Sequence, residues 1–208
     1  MFLKLLIGLC KINKLINSLR MALLTLIILQ GITSSATTYY ISPYGDDNNS
    51  GTSTLAPWQT IEKVNSFNFS PGDSILFQGG QVFSGNLYFD SNDAGMLSEP
   101  VTISSYDTGR SEINTSSGNA LFIYNAAGFK ICNIKFSGGG CDINEADGIS
   151  IFMDLPGSVK LPYIFINEVE VSGFGGWGIC IGSWNGLSGF TDITVMHVES
   201  HDNCKGGI

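Results

Sequence analysis

The 208-residue chain carries 18 acidic and 10 basic side chains, a formal charge of −8. That balance excludes a nucleic-acid partner, because phosphate recognition demands clustered Lys and Arg. Few charges, 26 glycines and short runs of Ile, Val and Phe favour many short strands joined by tight turns over a helical bundle.

Residues 1–36 hold Lys4, Lys11, Lys14 and Arg20 and no acid, followed by an apolar run over 22–29 and the small residues Ser34, Ser35 and Ala36. A basic region, a short apolar stretch and a small-residue site describe a secretory signal peptide cleaved near Ala36, with Met21 an alternative start. The apolar run falls well short of the roughly 20 residues that span a bilayer. No stable membrane anchor is therefore expected after cleavage, and the protein is expected to be secreted or held at the cell surface. Cleavage removes four basic residues and no acid, leaving six basic residues against 18 acids, a charge of −12. Such a chain takes an acidic polymer only through a bridging cation or a local basic patch. Cys132, Cys141, Cys180 and Cys204 show no zinc-ligand spacing. They read as small half-buried thiols, with a disulfide permitted by export.

The mature chain, residues 37–208, reads as one domain. Tyr39 to Ser42 is a short strand, and residues 43–51 form a loop dense in turn formers. Residues 57–67 place Trp58, Ile61, Val64 and Phe67 on one helical stripe, with Pro57 at the start and Glu62 and Lys63 toward solvent. Strands are predicted over 74–78, 81–83, 86–89, 101–104 and 120–124. From Ser74 onward no segment has helical periodicity, and the connections are too short for helical crossovers.

A strand pattern then returns in three copies, at 129–138, 164–173 and 193–202, with Ile134, Val169 and Val198 equivalent. The steps of 35 and 29 residues lie in the range of stacked repeats. Phe129, Ile164 and Ile193 align in one column, and Ile131, Ile166 and Val195 in a second. The alternation breaks at the same place in every copy, at Cys132-Asn133, Asn167-Glu168 and Met196-His197. We read that break as a corner where the strand changes sheet. Each copy leads to a Gly-Ile step, at Gly148-Ile149, Gly178-Ile179 and Gly207-Ile208. Stacked parallel strands lie about 4.8 Å apart, so each column becomes an aliphatic ladder, and Lys135, Glu170 and Glu199 stack outward.

The segments Tyr40-Ile-Ser-Pro-Tyr-Gly-Asp-Asp, Ala56-Pro-Trp-Gln-Thr-Ile, Pro71-Gly-Asp-Ser-Ile-Leu-Phe and Gly79-Gly-Gln-Val-Phe resemble the opening of bacterial members of the pectate lyase-like superfamily. The resemblance implies an all-β fold, a right-handed parallel β-helix (solenoid) with an N-terminal capping helix. It also implies a carbohydrate-active protein, a polysaccharide lyase or glycoside hydrolase, with polysaccharide as partner and Ca²⁺ as the expected cofactor. A non-catalytic adhesin or glycan-binding module is the alternative, because the superfamily holds many activities. An uncapped last coil would expose unpaired backbone groups, so the chain is expected to continue past Ile208, where catalytic coils can lie.

No lyase or hydrolase motif matches residue by residue, so the candidates come from chemistry alone. Glu170 and Glu199, one coil apart, can share a proton or a cation, or form a solvated face with Lys135. His201 and Asp202, with Lys205 three residues on, can supply a base and its orienter, or a polar turn. Asp142, Glu145 and Asp147, with Asn144, offer oxygen ligands for Ca²⁺, or an acidic surface loop. Trp177 and Trp184, with Tyr44, offer flat faces for sugar stacking, though the tryptophans can equally pack corners.

Overall fold

Parallel pairing organises the structure, a computed structural model that describes residues 35–208 together with Lys14, Ile16, Asn17 and Arg20. The expected leader lies largely outside the described residues. Among those residues no helix is long and apolar enough to cross a membrane.

The strands are β1 (Thr38–Ile41), β2 (Ser74–Gln78), β3 (Val82–Ser84), β4 (Leu87–Phe89), β5 (Val101–Tyr106), β6 (Ser111–Thr115) and β7 (Leu121–Tyr124). They continue with β8 (Phe129–Gly138), β9 (Ile149–Met153), β10 (Lys160–Ser172), β11 (Ile179–Ser183), β12 (Gly189–Met196) and β13 (Glu199–His201). A nine-stranded sheet runs β1-β2-β5-β8-β10-β12, with β3, β6 and β13 attached beside it, and a four-stranded sheet runs β11-β9-β7-β4. Every pairing is parallel. The chain passes from one sheet to the other and back, so each strand pairs with one from the previous pass.

In-register stacking extends the aliphatic columns beyond the three repeats. Ile75, Ile103, Ile131, Ile166 and Val195 are successive partners across β2, β5, β8, β10 and β12. Val101, Phe129, Ile164 and Ile193 form a second column. The second sheet contributes Leu87, Leu121, Ile149 and Ile179, and the inward residues of both sheets share one core.

The breaks at Asn133, Glu168 and His197 differ from the corner expected there. β8 and β10 run through them without leaving the sheet. Each break is a single residue in the left-handed region, with φ of 50°, 56° and 50°. One left-handed residue shifts the alternation by a step and turns the strand while both halves stay hydrogen-bonded. In the previous pass a loop over 107–110 takes its place, and β8 pairs with β5 on one side of it and β6 on the other. Ser105 Oγ closes this gap, donating to the Asn133 carbonyl at 2.6 Å and accepting from the Ser111 amide.

The cap helix is shorter than the stripe predicted, covering Ile61–Asn65 only (α1). Trp58 pairs as a strand instead. Its amide donates to the Tyr40 carbonyl, and its own carbonyl accepts from the Ser42 amide. Helix start is set at Thr60, whose hydroxyl accepts from the Lys63 amide. Asp47, in the loop read as turn formers, ties this cap down by accepting from the Thr60 hydroxyl and the Gln59 amide. Trp58, Ile61 and Val64 all face the core, and Trp58 stacks on Tyr39 with ring centroids 4.9 Å apart.

The turns between passes are tied by asparagine amides. Asn86, Asn119, Asn144, Asn185 and Asn203 each donate Nδ2 to a backbone carbonyl 26 to 32 residues away. Four of these acceptors are loop carbonyls outside any strand, and the fifth, that of Val171, is in β10. The reading of all the cysteines as thiols is corrected for one pair. Cys141 and Cys204, 63 positions apart, form a disulfide with Cα atoms at 5.8 Å, while Cys132 and Cys180 are free. Sequence spacing alone cannot reveal a bridge that joins turns of different passes.

Glu168→Val is expected to cost about 1–2 kcal/mol, because a β-branched side chain resists the left-handed region, whereas Glu168→Gly is neutral or stabilising. Urea titration of both variants checks this. Reduction of Cys141–Cys204 is expected to cost about 2–4 kcal/mol, read as a lower Tm in reductant that a Cys141→Ser/Cys204→Ser variant reproduces without it.

Candidate functional site

The outer face of the nine-stranded sheet carries a charged cluster, assembled by the alternation that follows the left-handed residues. After Asn133 and Glu168 the inward positions are Ile134, Phe136, Val169 and Val171, which leaves Lys135, Ser137, Glu170 and Ser172 outside. Register brings Glu112, Lys135, Glu170 and Glu199 into one outward row and Asn114, Ser137, Ser172 and His201 into the next.

Glu170 is the hub. Its carboxylate lies 3.1 Å from Lys135 Nζ, 3.5 Å from His201 Nε2 and 3.8 Å from Arg110 Nη1. Lys135 also reaches Glu112 at 3.7 Å, and His201 Nδ1 sits 2.8 Å from Asp202 Oδ2. Ser137 donates to Glu112 and accepts from Asn114 Nδ2. The carboxylates of Glu112 and Glu170 thus flank one ammonium, that of Lys135.

Burial pushes the Glu170 carboxyl up, but the Lys135 hydrogen bond and charge, with those of His201, outweigh it and hold the group below its ordinary value. The bond to Glu170 holds the Lys135 ammonium above its own. His201 is raised chiefly by Asp202 and then by Glu170, against the opposing pull of burial. The stability Glu170 contributes is present above the pKa of the unfolded carboxyl and lost as pH falls through the lowered folded value. That of His201 is present below the unfolded imidazole pKa and lost as pH rises through the raised one.

The other sequence candidates are dispersed. Glu199 stacks beside Glu170 but makes no ion pair among the described residues. Lys205 lies past the disulfide, its amide donating to the Gly176 carbonyl, and does not join His201 and Asp202. Asp142 and Glu145 are exposed, and Asp147 accepts from the Trp177 amide at 2.8 Å. Asn144 is buried and donates to the Gly118 carbonyl. Among the described residues no three His, Cys, Asp or Glu side chains gather in a metal-holding group. Trp177 packs over Gly206, where an added Cβ would lie 2.4 Å from its ring, while Trp184 and Tyr44 project at 81% and 82% exposure. Sequence reading missed Glu112, Asn114, Ser137 and the role of Arg110. Aligning 111–115 with 134–138 would have found Glu112 and Asn114, but Ser111 stands where the repeats place an aliphatic residue.

No protein-family model matches the chain. It is 46% identical over 77 residues to a lacto-N-biosidase of Bifidobacterium longum subsp. longum, a stretch covering 36% of this chain and 5% of that protein. Among solved structures it resembles native GH136 lacto-N-biosidase from Eubacterium ramulus with a TM-score of 0.52 and 19% identity, covering 70% of this chain and 26% of the enzyme. The selenomethionine form of that enzyme matches at the same TM-score, with 18% identity over 79% of this chain and 31% of the other. The chain thus spans under a third of these proteins. These neighbours overturn the resemblance to the pectate lyase-like superfamily. The segments that carried it join turn and cap residues, such as Gly72 with φ of 89° and Asp73 accepting from the Ser70 amide, to the first strands β1, β2 and β3. They answer to the geometry of starting a parallel stack, not to lineage.

His201 is expected to titrate above 6.5, with Asp202→Asn lowering the midpoint more than Glu170→Gln. Imidazole chemical shifts followed from pH 5 to 9 check the order.

Proposed function

We propose that the chain is part of a secreted glycoside hydrolase that acts on a glycan, of the lacto-N-biosidase kind. The observation that carries this reading is the 46% identity over 77 residues to the Bifidobacterium longum lacto-N-biosidase. The shared fold with the Eubacterium ramulus enzyme is consistent with it. The same reading takes the alternation between sheets as successive coils of a solenoid capped by α1, and the Cys141–Cys204 disulfide suits the oxidising compartment to which the leader directs the chain.

The Glu170 face supplies the charge arrangement that glycoside hydrolysis asks for. The reaction needs one carboxylate kept ionised and a second carboxyl group able to carry a proton. Lys135 and His201 hold Glu170 anionic, with Arg110 beside it, fitting it to activate water or to stabilise positive charge developing at the sugar ring. Glu112 hydrogen-bonds Ser137 across the same lysine, and Glu199 stands one strand on without a cation; one of these is the proton carrier. The row runs across the strands, so a glycan lying along the stack would meet all of them.

Incubation of the full-length protein with neutral oligosaccharides and with polygalacturonate separates the classes. Hydrolysis is expected to release reducing sugar from a neutral substrate without an unsaturated, ultraviolet-absorbing product, and Glu170→Gln is expected to lower kcat at least about a hundredfold. Wild-type turnover in that variant would remove the face from the chemistry. Glycan binding without sugar release from any substrate would favour the non-catalytic module.

A further inference from the structure

The outer face of the four-stranded sheet carries an aromatic platform that the polar face does not explain. Along β4, β7 and β9 the inward positions are apolar, and the outward ones are Tyr88, Phe122, Tyr124, Ser150 and Phe152, aromatic at all but Ser150. Register pairs Tyr88 with Phe122 and Tyr124 with Phe152. Ring centroids lie 5.9 Å apart for Tyr88 and Phe122 and 5.6 Å for Phe122 and Tyr124. Tyr88 is 41% exposed, and the other three are half-buried. Contiguous aromatic surface on a solvent-facing sheet is costly to leave bare and marks an interaction site.

The next strand leaves the platform open. In β11 the partner of Phe152 is Gly182, where an added Cβ would lie 4.0 Å from the Phe152 ring. A bulky side chain at position 182 would pack against that ring.

Polar groups flank one end. Tyr124 Oη donates to Asp154 Oδ2 at 2.5 Å, and Asn125 Nδ2 donates to Asp154 Oδ1 at 2.8 Å. Asn125 Oδ1 in turn accepts from the Asp154 amide, so the trio is held rigid while the exposed carboxylate keeps acceptor capacity. Beyond it opens a groove of about 410 Å³ whose lining includes Asn125, Ala126, Ala127, Leu155, Leu161 and Pro162. Flat apolar rings, a fixed carboxylate–amide pair and an adjoining groove are complementary to a pyranose, which has apolar C–H faces and a rim of hydroxyl donors.

We propose that this platform binds a neutral, β-linked oligosaccharide, with successive sugar rings stacked along the direction in which the strands are stacked. The absence of Lys and Arg from β4, β7, β9 and β11, with Asp154 at the rim, makes an acidic sugar a poor ligand. The strand spacing of about 4.8 Å approximates the advance of an extended β-linked glycan per sugar. The inference borrows only its ligand class from the hydrolase reading, and it adds a second glycan contact on a different sheet from Glu170.

Calorimetric titration of the full-length protein, in a Glu170→Gln background to prevent turnover, tests it. The probes are β-linked hexasaccharides of glucose, of N-acetylglucosamine, and of alternating galactose and N-acetylglucosamine, with hexagalacturonate as the acidic control. At least one neutral probe is expected to bind, with Phe122→Ala and Phe152→Ala each weakening it about tenfold. Gly182→Leu is expected to do the same by covering Phe152 while removing no native contact, so a folding defect is not mistaken for lost binding. Failure of every neutral probe, preference for hexagalacturonate, or wild-type affinity in these variants would overturn the proposal; so would a variant effect confined to self-association. Heats of binding need no turnover, so an inactive enzyme that loses affinity with the platform sinks the hydrolase reading and leaves this one standing.

Discussion

Everything in this molecule follows from strands that stack parallel and in register. When each strand sits on the one from the previous pass, a side chain meets the side chain at the same position in the next pass and must be compatible with it. Inside, the compatible choice is an aliphatic column, as from Ile75 to Val195, where each member is desolvated by its neighbours above and below. Outside, the same rule stacks charge on charge and ring on ring. The polar face and the aromatic platform are thus two outcomes of one constraint, differing only in what the outward positions hold.

The left-handed residues at Asn133, Glu168 and His197 convert that constraint into a site. A strand of strict alternation would carry one outward set from end to end. A single shift in the middle turns the second half and aims Lys135 and Glu170 together. Glu170 then gathers cations from three passes, Arg110 from the loop-split one, Lys135 from β8 and His201 from β13. An isolated exposed ion pair contributes little, and the importance of this arrangement lies in fixing the ionisation state of one carboxyl.

The repeat columns and the outward Lys135-Glu170-Glu199 row were legible because three copies of one pattern can be aligned residue by residue. What escaped had weaker local signals. β6 has Ile113 as its only aliphatic residue; β9 and β11 were seen only as Gly-Ile steps. Trp58 followed helical spacing, but its backbone was claimed by β1. Half of the charged cluster was readable for the same reason as the columns. Arg110 and Glu112 lie where a loop divides the strand, so no repeat template pointed to them, and the aromatic platform depends on pairings between segments that share no motif. The family resemblance failed for a related reason, since the residues that begin a parallel stack report its geometry and not its lineage.

The asparagine amides that tie the turns bear on how the molecule ages. Each supplies an N–H to a carbonyl of a neighbouring pass, and an aspartate of the same shape would supply only oxygen. Asn185 is the most telling, donating to the Leu155 carbonyl at 2.9 Å while accepting from the Leu187 and Ser188 amides, and it is followed by Gly186, the neighbour that least hinders spontaneous deamidation. Loss of that one amide nitrogen sets a carboxylate against a carbonyl. A lattice of such ties makes slow chemical change at one turn an event that two passes feel together.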